Sequence, residues 1–429
     1  MHSEAATALL PRRAAIGVFA AFAGAYFISA LLRGITATLS PELTAQFQLH
    51  ARDLGLLAGG YFLGFALMQL PLGAWLDRHG PRRVSLGLLC VAVAGCAVFA
   101  LAQGFAGLMA ARMLMGVGVA AALMAPLTGY RRWFDAAMQL RANAWMLMTG
   151  SLGMLASTLP VQWLLPVLGW RALFWGLAIL LVLALGAIAW IVPRWLRDAP
   201  DSRAEDGGPE SASSPNGSYA EIWRNPDFRR AVPLGAIGFG GMVAVQSLWA
   251  GPWLTRVAGD TPLAAATGLF WMNAGMLLSF WAWGWLMPWL NARGITVERL
   301  VAWLQPASFV ALAVLVGAGP RLGGASFAWL ALYCMASTPS AQVQAVLALA
   351  FPARLAGRAL SAYNLVIFVG IFAVQWGIGL GADAFEALGW SPADALRAAM
   401  ACFGLLALAS WAQFVASGRR QQASIMAPT

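Results

Sequence analysis

The stretch Gly73-Ala-Trp-Leu-Asp-Arg-His-Gly-Pro-Arg-Arg83 begins at the end of one apolar run, 54–76, and stops just before another, 84–104. Four of its residues are charged, whereas neither flanking run contains a charged residue. Each run has about the twenty apolar residues that a helix needs to cross a bilayer. We therefore predict that residues 73–83 form a short charged connection between two membrane-spanning helices.

Apolar runs of this length recur along the whole chain, separated by short polar breaks. The 429 residues are 60% hydrophobic and only 10% charged, whereas a soluble domain has roughly a quarter charged residues. The twelve runs lie near 14–38, 54–76, 84–104, 107–129, 141–165, 172–192, 231–255, 263–290, 298–318, 324–350, 358–382 and 396–417. This pattern predicts an all-α membrane protein with twelve transmembrane helices.

One long polar segment, 193–230, interrupts the pattern after the sixth run. It contains seven acidic residues and a stretch of Ser, Pro, Gly and Asn at 211–218, a composition that is typical of a linker. We predict an N-terminal six-helix bundle at 1–192, a cytoplasmic linker at 193–230 and a C-terminal six-helix bundle at 231–429.

The arginines predict the orientation, because segments on the cytoplasmic side of a membrane carry more basic residues. With the N-terminus inside, twenty arginines fall in cytoplasmic segments, five fall outside and two lie within runs. This distribution indicates a multi-pass protein of the bacterial inner (cytoplasmic) membrane with both termini in the cytoplasm.

The two halves of the chain also resemble each other. A Phe and an Arg separated by seven positions occur at 134–141 and again at 351–358, an offset of 217. Leu-Gly-Trp occurs at 168–170 and again at 388–390, an offset of 220. Internal repeats in membrane proteins are typical of alternating-access carriers with a site between the repeats.

Two motifs indicate a family. Residues 73–83 resemble the G-x-L-x-D-R-x-G-R-[RK] loop of the major facilitator superfamily, with Trp75 in place of Leu and Pro81 in place of a basic residue. Residues 112–118 resemble its R-x-x-x-G-x-G motif, and a degenerate second copy of the loop follows Gly284. The resemblance implies two pseudo-symmetric six-helix bundles and a transport function, but no particular substrate.

The charged loop is suited to act as a gate. Gly73 would let two helices approach closely, and Asp77 would face the N-terminus of a neighbouring helix, where negative charge is favoured. The arginines would hold lipid phosphates. A plain tight turn with cytoplasmic arginines is the alternative. The predicted gating residues are Gly73, Asp77, Arg78, Gly80, Arg82 and Arg83.

Two arginines lie within predicted spans, where charge is costly and usually functional. In the superfamily that the motifs resemble, the first helix lines the central cavity. Arg33, close to Tyr26 on this helix, would bind a carboxylate or phosphate; alternatively, it reaches outward to lipid headgroups. Arg112 is either a cavity residue or a structural strut, and we favour the strut.

Uncharged polar residues complete the predicted site. Gly251-Pro252 interrupts the seventh run and would free backbone carbonyls for a cavity. The neighbouring Trp249 would stack on a ring substrate or belong to an interfacial aromatic belt. Asn364 and Gln375 are spaced to share one helix face. The predicted substrate-binding residues are Tyr26, Arg33, Arg112, Gln246, Trp249, Asn273, Asn364 and Gln375.

Away from their ends, the predicted spans contain no Asp, Glu or His, although proton symporters commonly use such a residue. We therefore predict a secondary active or facilitative carrier that works by alternating access and moves a small organic solute, with an organic anion or metabolite ranked first. Efflux of hydrophobic or drug-like compounds is the alternative. The fifth run lacks the Gly-Pro pair usual in drug exporters, which lowers the rank of efflux.

Other classes of protein fit the chain less well. An enzyme would need a nucleophile–base pair or a metal cluster, and the four cysteines instead lie inside apolar runs like small hydrophobic residues. A transporter-derived sensor would usually carry a soluble partner domain. We expect no enzymatic activity, no cofactor and no metal. The expected partners are a small-molecule substrate and membrane lipids but no nucleic acid, and the expected state is a monomer.

Overall fold

The computed structural model describes residues 9–194 and 217–426, and their regular structure is entirely helical. In the first half, a glycine with non-helical backbone angles interrupts each of two long helical segments. Gly80 interrupts Ala51–Leu101, and Gly169 interrupts Leu159–Ile191. These breaks separate helices that run in opposite directions. The first six helices are α1 (Arg12–Phe47), α2 (51–79), α3 (81–101), α4 (Phe105–Gly118 and Met124–Trp133), α5 (Ala136–Ala156, continued by 159–168) and α6 (170–191).

The second half has the same number of long helices. They are α7 (Pro226–Val257), α8 (Pro262–Ala292), α9 (Val297–Ala318), α10 (Ser326–Ser337 and Val343–Leu349), α11 (Ala353–Ala387) and α12 (Pro392–Met426). The twelve predicted transmembrane helices and the two six-helix bundles are thereby confirmed. The described carboxylates all lie near helix ends, so the longer observed helices place no acid in the middle of a span.

Helix α7 begins before residue 231, at Pro226. The Asn225 side chain accepts hydrogen bonds from the backbone N–H groups of Asp227 and Phe228, at 2.8 and 3.1 Å. Asn is a favoured N-cap and Pro a favoured first helical residue, so α7 starts at Pro226. A short helix, Gly217–Arg224, precedes it. Residues 195–216 of the predicted linker lie outside the described residues, and the domain division stays a prediction.

Glycines allow α1 and α5 to pack with their backbones almost in contact. A Cβ atom built on Gly153 would collide with the carbonyl oxygen of Phe27, and one built on Gly150 would lie 2.6 Å from the Tyr26 ring. Gly34 of α1 packs in the same way against Ser157. Small residues are the usual means by which membrane helices approach closely.

The two halves meet along α2 and α11 at the face of the molecule that holds the α1–α2 and α11–α12 connections, here called the distal face. Gly55 packs against the carbonyl oxygen of Gln375, and Gly59 lies beside Phe372. Farther along, the rings of Phe65 and Phe368 have centroids 4.3 Å apart.

The same two helices separate toward the opposite, proximal face, which holds the loop 73–83. A Cβ atom built on Gly73 or on Gly357 would meet nothing within 4 Å. The molecule is therefore closed at the distal face and open along the α2–α11 seam at the proximal face.

A second contact between the halves depends on a proline. Pro41 lies inside α1 and has no N–H, so it cannot bond the Ala37 carbonyl four residues earlier. The Ser40 hydroxyl donates to this carbonyl at 2.9 Å, and Gly251 of α7 packs directly against it. The break in the α1 hydrogen-bond ladder thus creates a flat surface where α7 can approach.

We expect Gly153→Val to lower the thermal unfolding temperature of the purified protein by several degrees. The new side chain would push α1 away from α5, and overpacking of this kind costs roughly 1–3 kcal/mol. The matched control is Gly176→Val on α6, where a Cβ atom meets nothing within 4 Å. Equal unfolding temperatures for the two variants would contradict the proposed close packing.

Candidate functional site

A polar cluster lies inside the first bundle and joins α1, α2 and α4. The Tyr61 hydroxyl donates to the backbone carbonyl of Ser29 at 3.0 Å, and the Arg33 guanidinium interacts with the hydroxyls of Tyr26 and Tyr61. Arg112 Nη1 donates to the Leu32 carbonyl at 2.8 Å. We refer to Tyr26, Ser29, Arg33, Tyr61 and Arg112 as the arginine cluster.

Tyr61 is the residue that connects the two arginines. Its hydroxyl group faces Arg33, and its ring lies with its centroid 5.0 Å from the Arg112 guanidinium carbon. Cations are attracted to the face of an aromatic ring at this distance. Tyr61 is not among the predicted site residues, because its contacts depend on which helices become neighbours and no spacing along the chain indicates them.

The glycine motif at 112–118 positions Arg112. Gly116 packs directly against the backbone carbonyl of Tyr61, and Gly118 packs against the backbone of Ala92. Both contacts exclude any larger residue, since a Cβ atom would collide with backbone atoms. Arg112 lies one helical turn before Gly116, so the close approach of α4 to α2 brings its side chain against Tyr61.

Much of the hydrogen-bonding capacity of the two guanidiniums is unused. Arg112 is only 1% exposed, yet its Nε and Nη2 atoms have no hydrogen-bond partner among the described residues, and neither does the Nε atom of Arg33. A buried charge is normally paired. No carboxylate interacts with either arginine among the described residues. The interior of the first bundle therefore carries uncompensated positive charge and orphan donors.

The predicted polar residues of the second bundle form three separate groups. Gln246 Nε2 donates to Asn273 Oδ1 at 2.8 Å between α7 and α8. Gln375 Nε2 donates to the Ser247 hydroxyl at 3.0 Å, and Trp249 Nε1 donates to the Gln375 carbonyl at 3.1 Å. Asn364 instead pairs with Gln344 of α10, at 2.7 Å.

Trp249 lies in the seam between the two halves. It is fully buried and contacts Gly55 of α2, at 3.2 Å from a Cβ atom built there. This burial rules out a place in an interfacial aromatic belt. It also means that Trp249 is covered in this conformation and would become accessible only when the distal face opens.

The carbonyl that Pro252 would free lies four residues earlier, at Leu248, and its use in a cavity stays a prediction. Helix α7 widens into π-helical turns at Val245–Trp249 and Trp253–Val257, on either side of the pair. The Gly251 carbonyl accepts a hydrogen bond from the Thr255 hydroxyl at 3.2 Å. The protein itself thus satisfies this carbonyl. Sharp changes in helix geometry of this kind are frequent at functional sites.

The loop at 73–83 is held at one end and free at the other. Gly80 has φ of 75° and ψ of 163°, which ends α2 and turns the chain into α3. Arg82 donates to the Ala189 carbonyl of α6. Gly73 and Asp77 are exposed, and within the described ranges neither Gly73 meets a helix nor Asp77 a helix N-terminus in this conformation. Arg78 and Arg83 are exposed as well.

Comparison with known proteins identifies the family. Residues 22–375 match the model of the Major Facilitator Superfamily, so the chain belongs to this superfamily of membrane transporters. The fold is similar to that of a bacterial homolog of the human lysosomal transporter Spinster, in an inward-facing and occupied conformation. The TM-score is 0.76 at 18% sequence identity, over 96% of this chain and 98% of that one.

Curated relatives match this chain over part of their length. The inner membrane transport protein YajR of Escherichia coli is 34% identical over 33% of this chain and 30% of its own length. The probable L-galactonate transporter of E. coli is 25% identical, over 61% of this chain and 59% of its own length. The chloramphenicol resistance protein of Streptomyces lividans is 28% identical, over 71% and 69%. The chain covers less than two thirds of the length of the first two of these relatives, so its membership of a superfamily of transporters, which are not enzymes, rests on the family model.

Because donors of Arg112 are unpaired among the described residues, a substitution can test whether this residue has a functional or a structural role. We expect Arg112→Met to leave the unfolding temperature unchanged or higher, because it removes an uncompensated buried charge. The Leu32 carbonyl would keep its helical partner, since a carbonyl accepts the N–H four residues later. A large fall in the unfolding temperature, with Met115→Leu as the control on the same helix, would show that Arg112 is mainly structural.

Proposed function

We propose that this protein is a secondary active or facilitative carrier that moves a small organic anion by alternating access. The observation that carries the proposal is the arginine cluster, where two guanidiniums share Tyr61 and have no carboxylate partner among the described residues. An anion would supply the missing negative charge and the missing acceptors.

The two arginines would have different tasks. Arg33 is half-buried, so its guanidinium is the one that an incoming carboxylate or phosphate would reach and bind in a bidentate manner. Arg112 is fully buried behind Tyr61 and would act through its charge. Such a charge has a strong effect where the effective dielectric constant is low.

The polar residues of the second bundle would bind the remainder of the substrate. In the Gln246–Asn273 and Gln344–Asn364 pairs, at least one side chain is half-buried. Each pair joins two helices of the same bundle. Amide groups both donate and accept hydrogen bonds, so they suit hydroxyl or carbonyl groups of a substrate. The Gln375 Oε1 atom remains an unpaired acceptor.

The shape of the molecule supports alternating access. The α2–α11 seam is closed at the distal face and open at the proximal face, where nothing lies near Gly73. With the predicted orientation, the proximal face is cytoplasmic and this conformation is inward-facing. Closing that face would bring α2 and α11 together at Gly73 and Gly357. The loop would then act as the gate through its other predicted gating residues, Asp77, Arg78, Gly80, Arg82 and Arg83.

The relatives support this function with different substrates. The similarity to a probable L-galactonate transporter favours a carboxylate. The similarity to a chloramphenicol resistance protein, which extends over more of the chain, favours efflux of an uncharged drug-like compound as the second candidate. The charge of the bound compound separates the two candidates.

A thermal-shift screen with charge-matched compounds tests the proposal. We expect organic carboxylates or phosphate esters, and not their amides or amines, to raise the unfolding temperature, because ligands stabilise the state that they bind. Arg33→Ala should weaken this binding about 10- to 100-fold, since a hydrogen bond to a charged group contributes about 1.5–3 kcal/mol. Arg33→Lys should retain part of the effect, as it keeps the charge but not the bidentate geometry.

The control variant is Arg321→Ala, which removes one exposed positive charge from the α9–α10 connection. It should respond to anions like the parent protein. Full anion binding by Arg33→Ala would remove Arg33 from the site, and stabilisation by uncharged hydrophobic compounds alone would support the efflux candidate.

A further inference from the structure

The closed distal face contains an acid–helix contact that joins the two bundles. Asp383, near the end of α11, accepts a hydrogen bond from the backbone N–H of Ala51 at 3.0 Å and one from the N–H of Arg52 at 3.3 Å. Ala51 and Arg52 are the first two residues of α2. A carboxylate from the second bundle therefore caps a helix that belongs to the first.

The capping is complete only while the two bundles are together. The α2 N-terminus has a capping box of its own, in which His50 bonds the N–H of Asp53 and Asp53 bonds the N–H of His50. The N–H groups of Ala51 and Arg52 are not served by that box, and the first N–H groups of a helix have no partner within the helix. Asp383 supplies both missing acceptors from across the seam.

Charge attraction and close helix packing also favour the contact of Asp383 with the α2 N-terminus. The partial positive charge of a helix N-terminus favours a nearby carboxylate, and the Arg52 side chain lies 3.5 Å from Asp383. Arg256 of α7 also interacts with Asp383 and Glu386 and lies 3.4 Å from the Thr44 hydroxyl of α1. Gly379, one turn before Asp383, packs against the carbonyl of Ala51, which brings α11 close enough for the carboxylate to reach.

We propose that Asp383 is a latch that holds the distal face closed by capping α2 across the two bundles. Opening the distal face must break both hydrogen bonds at once, because they lie on the seam along which the bundles separate. Asp394, another distal acid, bonds Ser391 and Arg397 of its own bundle instead. The latch is independent of which substrate is carried.

Spin-label distance measurements test the latch in the absence of any substrate. Labels at Gln103→Cys and Arg321→Cys, both exposed distal positions on different bundles, would report the opening in a protein whose four cysteines are replaced. We expect Asp383→Ala to raise the ratio of distal-open to distal-closed molecules about tenfold, which corresponds to about 1.4 kcal/mol. Asp383→Asn should give a smaller increase, because the amide still accepts one hydrogen bond.

Two control variants complete the experiment. Asp394→Ala should leave the distances unchanged, since its partners lie in one bundle. Arg52→Gln should have a small effect, because the Arg52 side chain is 55% exposed and exposed ion pairs contribute little. Parent-like distances in both Asp383 variants would overturn the proposal. So would equal shifts in the Asp383→Ala and Asp394→Ala proteins.

Discussion

A guanidinium group inside a helical bundle loses its hydration, and this loss costs several kcal/mol unless other groups compensate it. Arg112 receives one carbonyl and the face of one aromatic ring, which compensate part of that cost. The rest of the site follows from this imbalance. Tyr61 must be held in place to contact both arginines. Gly116 must also let α4 approach α2 until the backbones of the two helices are in contact. A transported anion would remove the imbalance, so binding and charge compensation would be the same event.

The seam between the bundles follows a different physical rule. Its distal half is built from glycines that pack against carbonyl oxygens, at Gly55, Gly251 and Gly379. Large side chains fill the space beside these contacts, with Trp249 next to Gly55 and Phe372 next to Gly59. The exposed glycines at the proximal end, Gly73 and Gly357, have no such neighbour. Glycines thus line both ends of the seam, but in this conformation only the distal end is in contact.

The number and order of the helices could be predicted because apolar length is a local property of the chain. The break at Gly80 could be predicted as well, since charges and glycine between two apolar runs mark a connection. Helix ends were less predictable: α1 continues through Pro41 to Phe47, because the serine hydroxyl beside the proline occupies the carbonyl that the proline leaves free. The start of α7 at Pro226 depends on the Asn225 cap, which is visible in the sequence but was assigned to the linker.

The site itself was predictable only in part. Arg33 and Arg112 stand out in any apolar run, and the structure brings them together around one residue. Tyr61 and Ser29 were not singled out, because a tyrosine or serine in an apolar run has no distinctive spacing. The amides of the second bundle stand out as polar residues within apolar runs, but their pairing with Ser247 and Gln344 depends on tertiary neighbours. The covered position of Trp249 depends on the conformation of the whole molecule.

The central claim is that an acid-free, positively charged interior carries an anion without titrating a side chain of its own. Uptake of a sulfonate analogue of the best-binding anion tests this claim most directly, because a sulfonate stays charged at every pH used. The purified protein would be placed in vesicles loaded with the same anion, with and without an imposed pH gradient. The account predicts exchange of the sulfonate at similar rates in both cases. A strict requirement for the pH gradient would contradict it.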